Sequence, residues 1–297
     1  MEFIRDLWVV ILAGGDGLRV QGLTRDERGN RAPKQFCRFS GDRSLLRRAV
    51  DRARRLVQSD RVVAVVRDSQ RAWWEPELSD LPRENVLSQS ANRGTAIAIL
   101  HALETVGRRA HPGMTLVLPS DHEVEDEDVL ASTLGEMVQV AARTDRVVLA
   151  GMEAGEPDPE YGWIVPVSGA GRGARLVSRF VEKPGPELAA RLAAAGALVS
   201  GFMFAGTVGA MLDLYERAQP GLLDRFAKRA AADPSGALSG PWWEQLPAMD
   251  FSRDLLARSM RRLRVLAVPP CGWTDLGTPE RLRLWLAQRA HTTAAAS

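Results

Sequence analysis

The chain has 297 residues, of which 45% are hydrophobic and 26% charged, so it can bury a sizeable core. Its 39 basic and 37 acidic residues nearly balance, which argues against a nucleic-acid-binding protein with a concentrated basic face. No stretch approaches the roughly 20 apolar residues of a membrane span, so we expect no membrane partner. With only two cysteines and no recognisable export signal, we expect reduced thiols and a cytoplasmic location.

Strand and helix patterns alternate through the first half of the chain. Apolar runs rich in β-branched residues predict strands, and apolar residues three or four positions apart predict helices. The predicted strands are 8–12, 61–66, 85–87, 115–118 and 147–150. The predicted helices are 45–57, 69–78, 95–108 and 126–142. This alternation is typical of βαβ units, which build a parallel sheet with helices on both faces and bind ligands at the carboxyl ends of the strands.

The pattern becomes less regular after about residue 155. The later predicted strands are 161–167, 175–182, 198–205 and 262–268. The later predicted helices are 186–195, 208–217, 221–232, 242–246 and 279–289. We therefore expect a single α/β domain over residues 1–291, followed by a small, polar and disordered tail at 292–297.

A glycine-rich turn follows the first predicted strand. Its residues are Leu12, Ala13, Gly14, Gly15 and Gly17. Glycines let the backbone turn sharply and bring N–H groups close to an anion. Arg19 and Lys34 add cationic donors, since arginine can grip two phosphate oxygens and lysine supplies a point charge. The spacing matches neither the dinucleotide-binding fingerprint nor the Walker A motif, so the glycines alone equally fit a tight strand-to-helix turn.

Two aspartates come after predicted strands that are far apart in the sequence. Asp121 follows the strand at 115–118, and Asp275 follows the strand at 262–268. Carboxylates at strand ends face the ligand crevice of an α/β sheet and can hold Mg²⁺. Either aspartate alone can equally cap a turn, so the pair carries more weight than its members.

Two further polar segments are candidates for ligand contacts. Gln89, Asn92, Gly94 and Thr95 lie between a predicted strand and a helix, where an amide can read a base edge or Asn92 or Thr95 can cap the helix. The pair formed by Glu182 and Lys183 precedes a proline and equally fits a solvated strand end. We interpret the segment 250–252 as structural, and the tryptophan pairs at 73–74 and 242–243 as buried anchors.

Taken together, these segments resemble the signature of the sugar-nucleotide pyrophosphorylases, also called nucleotidyltransferases. The glycine turn with Arg19 is followed by PKQF at 33–36, as in the mannose-1-phosphate guanylyltransferase branch of that family. The other matching segments are QSANRGTA at 89–96, LPSDH at 118–122, EPDPEYGWI at 156–164, FVEKP at 180–184 and WTDLG at 273–277. The resemblance covers about residues 8–285, and Leu18 stands where the family usually has threonine.

The resemblance implies a Rossmann-like fold, with a mostly parallel mixed sheet flanked by helices. It places a nucleotide-binding half at about residues 1–155 and a smaller sugar-binding half at 156–291. The implied reaction is Mg²⁺-dependent transfer of a nucleotidyl group from a nucleoside triphosphate to a sugar 1-phosphate, which gives a nucleotide-sugar and pyrophosphate. GTP and mannose 1-phosphate are the substrates that the matching segments favour.

The resemblance also implies roles for individual residues. The implied catalytic residues are Arg19, Lys34, Asp121, Lys183 and Asp275. Asp121 and Asp275 are the implied metal ligands. The implied nucleotide-binding residues are Leu12, Ala13, Gly14, Gly15, Gly17, Arg19, Lys34, Gln89, Asn92, Gly94 and Thr95. The implied sugar-binding residues are Tyr161, Gly162, Glu182, Lys183 and Ser200.

Two alternatives remain open at this point. One is a pyrophosphorylase with another base or sugar, such as uridylyl or thymidylyl transfer to glucose 1-phosphate. The other is a catalytically weak subunit that binds a nucleotide-sugar, which Leu18 motivates together with Ser200, since the family usually presents asparagine near Ser200. A homo-oligomeric assembly is compatible with the sequence.

Overall fold

A mixed β-sheet is the centre of the fold in this computed structural model, which describes residues 6–26, 29–39, 41–169, 173–232 and 241–295. The strands are β1 (Leu7–Leu12), β2 (Val62–Arg67), β3 (Val86–Gln89), β4 (Met114–Pro119), β5 (Val147–Met152), β6 (Gly162–Pro166), β7 (Arg175–Glu182), β8 (Leu198–Thr207) and β9 (Leu263–Ala267). The helices are α1 (Leu45–Arg54), α2 (Arg71–Glu77), α3 (Gly94–Arg109), α4 (Glu127–Thr144), α5 (Pro186–Ala194), α6 (Val208–Ala218), α7 (Leu222–Ala232), α8 (Pro241–Glu244) and α9 (Pro279–Ala295).

The strand order is β3-β2-β1-β4-β8-β5-β9-β7-β6. β1 pairs in parallel with β2 and β4, β2 with β3, and β5 with β9, as the βαβ alternation predicts. The long strand β8 runs antiparallel between β4 and β5, and its first residues also pair with β6. The antiparallel pair β6 and β7 completes the sheet beside β9. The α/β class is confirmed, with antiparallel pairing introduced by the second half of the chain.

The sheet is buried on both faces, which explains why its central strands are apolar throughout. Every residue of β4 is buried, including Leu116 and Leu118 on one face and Val117 on the other. Apolar residues of α1, α4 and α5 pack on the first face, while those of α3, α6 and α7 pack on the second. A three-layer arrangement of this kind positions loops at the carboxyl ends of the parallel strands.

The predicted elements differ from the observed ones mainly at their ends. One boundary needs correction: α9 continues to Ala295, whereas we expected a disordered tail from residue 292. Alanine is the strongest helix former, which accounts for the extension, and residues 296–297 lie outside the described residues. Trp74 and Trp243 are buried, as expected of anchors, whereas Trp73 and Trp242 are only partly buried and pack against the core. Within the described ranges, no helix is long and apolar enough to cross a membrane.

Candidate active site

A cavity of about 410 Å³ opens where the carboxyl ends of β1, β3 and β4 meet β6, β7 and β8. It therefore lies between the two predicted halves of the domain. All but two of the residues predicted from the sequence line this cavity: Leu12, Gly14, Gly15, Gly17, Arg19, Gln89, Asn92, Gly94, Thr95, Asp121, Tyr161, Gly162, Glu182, Lys183, Ser200 and Asp275. The two exceptions, Ala13 and Lys34, are buried immediately behind it.

The glycine turn is held by two buried amide side chains. Gln35 Nε2 donates hydrogen bonds to the carbonyl oxygens of Ala13 (3.1 Å) and Gly15 (2.8 Å). Gln70 Nε2 donates a second bond to the Gly15 carbonyl (3.0 Å) and its Oε1 accepts one from Gln35. Because protein donors engage these carbonyls, we expect the N–H groups of the turn to be the groups that face an anion.

Gly17 explains why the glycine turn and the Lys34 segment occur together. Its φ angle is 60°, a left-handed conformation that glycine adopts without strain. A Cβ at this position would also lie 3.0 Å from the Lys34 backbone nitrogen. Glycine therefore allows the two segments to approach closely enough for Lys34 to reach the cavity wall.

Lys34 connects the two aspartates across the fold. Its Nζ lies 2.8 Å from Asp121 Oδ2, and it also donates a short hydrogen bond to the backbone carbonyl of Asp275. The Lys34 side chain is only 4% exposed, so this ammonium group is held in place by the two segments it joins. Its charge is thus fixed at the wall of the cavity, beside both carboxylate-bearing loops.

A short β-bridge aligns those two loops. Glu123 and Thr274 exchange backbone hydrogen bonds of 2.9 and 3.0 Å, which sets the loops after β4 and β9 side by side. The Glu123 side chain is fully buried and lies 3.1 Å from the Arg48 guanidinium. Asp121 and Asp275 are each within two residues of the bridge, so the backbone alone brings them to the same edge of the cavity.

The environment sets the charges of this edge. Burial works against ionisation of Asp121, but Lys34 and His122 outweigh it and hold its pKa below the usual value. Burial lowers the pKa of His122 to about 4 despite the nearby aspartates, so its imidazole is neutral at neutral pH. Trp273 Nε1 donates to His122 Nδ1 at 3.2 Å. His122 is therefore a packed neighbour that also lines the cavity.

The donor set fits a divalent cation that is shared with a substrate. Mg²⁺ in phosphate-handling sites typically takes one or two carboxylates and completes its shell with phosphate oxygens and water. Asp121 and Asp275 supply two carboxylates from converging loops. No group of three or more acidic, histidine or cysteine ligands occurs in the part of the chain that the structure describes. The protein side chains thus suit a metal held jointly with phosphates.

Polar and aromatic groups from β6, β7 and β8 form the opposite wall. Glu182 is paired with Gly162 across β6 and β7, and burial and Asp250 raise the pKa of Glu182 to about 7. Lys183 follows with φ of 46°, an unusual conformation for a residue with a side chain and one that tends to occur at functional sites. Ser200 lies on β8, facing the same space.

The end of β3 and the loop before α3 form the third wall. Gln89 is almost completely buried, and its Nε2 has no hydrogen-bond partner within the described residues. A buried donor without a partner is costly, so this amide is ready to bind an acceptor on a ligand. Asn92 Oδ1 accepts from the Gly94 nitrogen at 2.9 Å and closes a turn ahead of α3, but the N-cap residue of the helix is Arg93, and no side chain caps it. Thr95 Oγ1 accepts from the Phe251 nitrogen at 2.8 Å.

Several cavity residues were not assigned to the site from the sequence. They are Gln35, Ala98, Pro119, Ser120, His122, Glu160, Phe202, Asp250 and Ser252. Glu160 forms a 2.6 Å ion pair with Arg19, and its position inside the matching segment 156–164 was an available signal. Asp250 caps the π-helical turn Phe251–Leu255, as the structural interpretation expected, but it also reaches the cavity.

Leu18, where the family usually has threonine, lies outside the cavity wall. Its side chain is 68% exposed, and it is absent from the residues that line the cavity, whereas its neighbours Gly17 and Arg19 are present. The side chain at position 18 therefore forms no part of the cavity wall.

The family model for nucleotidyl transferases matches residues 8–292 of this chain. The chain belongs to the nucleotidyl transferase family. The matched range includes the glycine turn and both aspartates at the cavity.

Curated relatives of this nucleotidyltransferase are longer proteins. The alginate biosynthesis protein AlgA of Pseudomonas syringae is 30% identical over 292 residues, which are 95% of this chain and 59% of the relative. A mannose-1-phosphate guanylyltransferase of Escherichia coli is 27% identical over 91% of this chain and 58% of its own length. The chain thus spans about six-tenths of the length of these relatives.

Solved structures show the same fold. A Thermus thermophilus protein described as mannose-1-phosphate geranyltransferase superposes with a TM-score of 0.79 at 27% identity, covering 92% of this chain and 76% of the other. A Helicobacter pylori protein described as mannose-6-phosphate isomerase has a TM-score of 0.72 at 19% identity and covers 91% of this chain and all of the other. The second likeness concerns the fold alone.

Proposed function

We propose that this nucleotidyltransferase transfers a nucleotidyl group from a nucleoside triphosphate to a sugar 1-phosphate, with GTP and mannose 1-phosphate as substrates. The observation that carries the proposal is the convergence on one cavity of an anion-binding glycine turn, a fixed lysine, two aspartates and the Glu182-Lys183 pair. These groups come from both halves of the domain and face each other across the cavity, as a two-substrate transfer requires.

The triphosphate would lie along the glycine turn. N–H groups of the turn would bind its phosphate oxygens, while Arg19 and Lys34 offset the charge that develops on the departing pyrophosphate. Arg19 is now paired with Glu160 and Lys34 with Asp121, so each cation would exchange a carboxylate for a phosphate. Because the Gln35 and Gln70 amides fix the turn in advance, little reorganisation is needed on binding.

The sugar 1-phosphate would occupy the wall formed by Tyr161, Gly162, Glu182 and Ser200. Glu182 would accept hydrogen bonds from sugar hydroxyls, and Lys183 would hold the phosphate and reduce its repulsion from the triphosphate. An oxygen of the sugar phosphate would attack the α-phosphorus in line. The new P–O bond forms as the bond to the bridging oxygen of pyrophosphate breaks, and pyrophosphate leaves with the electron pair. No nucleophilic side chain is needed, since the attacking phosphate is already an anion.

Asp121 and Asp275 are the residues that would hold Mg²⁺, which polarises the phosphoryl group and orients it when bound. The neutral His122 beside them adds no competing positive charge at neutral pH. Lys34 lies within 2.8 Å of the Asp121 carboxylate and so balances the negative charge of this wall before any ligand arrives.

The amide wall before α3 is the part of the cavity that would bind the base. Gln89 offers a buried Nε2 donor without a partner, and an amide can also accept a hydrogen bond through its oxygen. Such a group can pair with a base edge that presents an acceptor beside a donor, which every base offers, so the choice of guanine is supported by the relatives named mannose-1-phosphate guanylyltransferase. Asn92 and Thr95 line the same wall, although both already make hydrogen bonds inside the protein.

Pyrophosphate release from the purified chain tests the proposal. The assay contains Mg²⁺, mannose 1-phosphate and, in turn, GTP, UTP, dTTP, ATP or CTP. Release with GTP alone is expected. Release with another triphosphate would keep the reaction and overturn the base assignment, and release only with other sugar phosphates would overturn the sugar assignment. If no triphosphate and no sugar phosphate gives pyrophosphate release, and GDP-mannose nevertheless binds tightly, the chain would instead be a subunit that only binds nucleotide-sugars.

A further inference from the structure

A guanidinium group forms an ion pair with Asp275, one of the two carboxylates that we propose as metal ligands. Arg281 lies in the first turn of α9, and its Nη1 is 2.8 Å from Asp275 Oδ1. The same carboxylate oxygen accepts a hydrogen bond from the Gly277 nitrogen at 3.0 Å. Both side chains are largely buried, with 14% exposure for Arg281 and 17% for Asp275. The ion pair is therefore little screened by water.

Arg281 also has a second acidic neighbour on the sugar side of the cavity. Its Nε lies 3.6 Å from Asp158 Oδ2, and its guanidinium carbon lies 4.2 Å from the centre of the Tyr161 ring. Asp158 and Tyr161 belong to the segment that leads into β6. The guanidinium thus lies between two carboxylates, only one of which faces the proposed metal position.

We propose that Arg281 is an internal cation that competes with a divalent metal ion for the Asp275 carboxylate, and that its guanidinium shifts from Asp275 toward Asp158 when the metal binds. This inference rests on the proposed function, because it takes Asp275 as a metal ligand. A metal ion at Asp275 must either displace the guanidinium or bind beside its positive charge, and both lower the affinity for the metal. Asp158 and the Tyr161 ring give the displaced guanidinium an alternative environment without any large movement of α9.

The competition has a consequence for the order of binding. A metal ion alone meets a carboxylate that is already neutralised, so it binds weakly. A metal ion that arrives with a triphosphate brings additional oxygen ligands and negative charge, which favour its binding at Asp275 while the guanidinium shifts toward Asp158. The site therefore admits the metal together with its nucleotide rather than before it.

Binding of Mn²⁺ to the full chain, without substrates, tests this proposal. The fraction of free Mn²⁺ is read from its electron paramagnetic resonance signal. We expect Arg281→Gln to bind Mn²⁺ on the order of tenfold more tightly than the natural chain, the factor for a coupling of about 1.4 kcal/mol. Arg281→Lys keeps the charge and should stay near the natural affinity. The matched control is Arg283→Gln, which removes an exposed charge from the same helix.

Asp158→Asn supplies a test of opposite sign. It removes the alternative carboxylate while its side-chain oxygen can still accept from the Glu160 nitrogen. We expect this variant to bind Mn²⁺ several-fold more weakly, because the guanidinium is then held more firmly at Asp275. This measurement remains informative if Arg281→Gln fails to fold.

Asp275→Asn separates the two possible failures. Loss of Mn²⁺ binding in Asp275→Asn, with Arg281→Gln no different from Arg283→Gln, would overturn the competition and leave the metal assignment standing. Unchanged Mn²⁺ binding in Asp275→Asn would overturn both the metal assignment and the competition. Weaker binding in Arg281→Gln would show that the arginine supports the metal, which also contradicts the proposal.

Discussion

The acidity of Glu182 gives a quantitative test of the cavity's electrostatics. Its carboxyl group is partly buried beside Asp250, and burial followed by the Asp250 charge raises its pKa to about 7 from the ordinary 4.5. Lys183 and Arg253 act in the opposite direction and do not cancel this effect. The folded protein therefore holds a proton on Glu182 at pH values where the unfolded chain has released it.

The sign and size of the effect on stability follow from this shift. A raised pKa in the folded state stabilises the fold below pH 4.5, and this contribution is lost as the pH rises through about 7. The shift of about 2.5 units corresponds to about 3.4 kcal/mol at most, at about 1.36 kcal/mol per unit. Glu182→Gln carries a neutral amide at every pH, so it does not incur this loss.

Urea unfolding of the natural chain and Glu182→Gln, at about pH 5 and about pH 8, measures the effect. The free energy of unfolding of the Gln variant relative to the natural chain should increase by about 2.5 kcal/mol between the two pH values. Asp250→Asn should reduce this pH dependence, because it removes one of the two causes of the shift. An equal difference between the natural chain and Glu182→Gln at both pH values would refute the reasoning.

Three further predictions concern other parts of the site. Asp121→Asn and Asp275→Asn should each lower turnover by on the order of 10²-fold in steady-state kinetics at saturating Mg²⁺, since each removes one electrostatic element. Gln70→Leu removes an amide that holds the Gly15 carbonyl, and it should weaken triphosphate binding roughly tenfold by calorimetry. Gly94→Ala places a Cβ 2.1 Å from a backbone carbonyl oxygen at positive φ, so the free energy of unfolding should fall by more than about 2 kcal/mol.

Each of these predictions has a result that contradicts it. If both aspartate variants turn over at the rate of the natural chain, Asp121 and Asp275 have no role in the reaction. Unchanged triphosphate affinity in Gln70→Leu would mean that the glycine turn keeps its shape without that amide. Gly155→Ala is the control for Gly94, because a Cβ there meets nothing within 4 Å. A Gly94 variant as stable as the Gly155 variant would contradict the steric argument.

Most of the fold and much of the site could be predicted from local sequence patterns. The apolar runs of the parallel strands are continuous because both faces of the sheet are buried, so the strands stand out in the sequence. The glycine turn is recognisable because the left-handed backbone at position 17 and its close approach to Lys34 both favour glycine. Such signals arise from neighbouring residues and survive without knowledge of the fold.

Contacts between distant segments could not be predicted in the same way. Lys34 and Asp275 are separated by 241 positions, and their contact depends on the packing of distant segments, including the β-bridge between Glu123 and Thr274 that sets the Asp275 loop beside the loop after β4. Gln70 lies in a short turn after β2, where nothing in its neighbours indicates that it binds the glycine turn. The antiparallel insertion of β8 likewise depends on tertiary pairing, which the strand's own residues do not specify.

Transfer of the α-phosphorus tests the central claim most directly. The full chain is incubated with GTP radiolabelled at the α-phosphorus, Mg²⁺ and mannose 1-phosphate, and the products are separated. The account predicts that the label moves into GDP-mannose, that pyrophosphate appears in equal amount, and that Asp275→Asn strongly reduces both. If the label stays in the triphosphate with every base and sugar phosphate tried, the chain is not a nucleotidyl-transferring enzyme and the proposed function is contradicted.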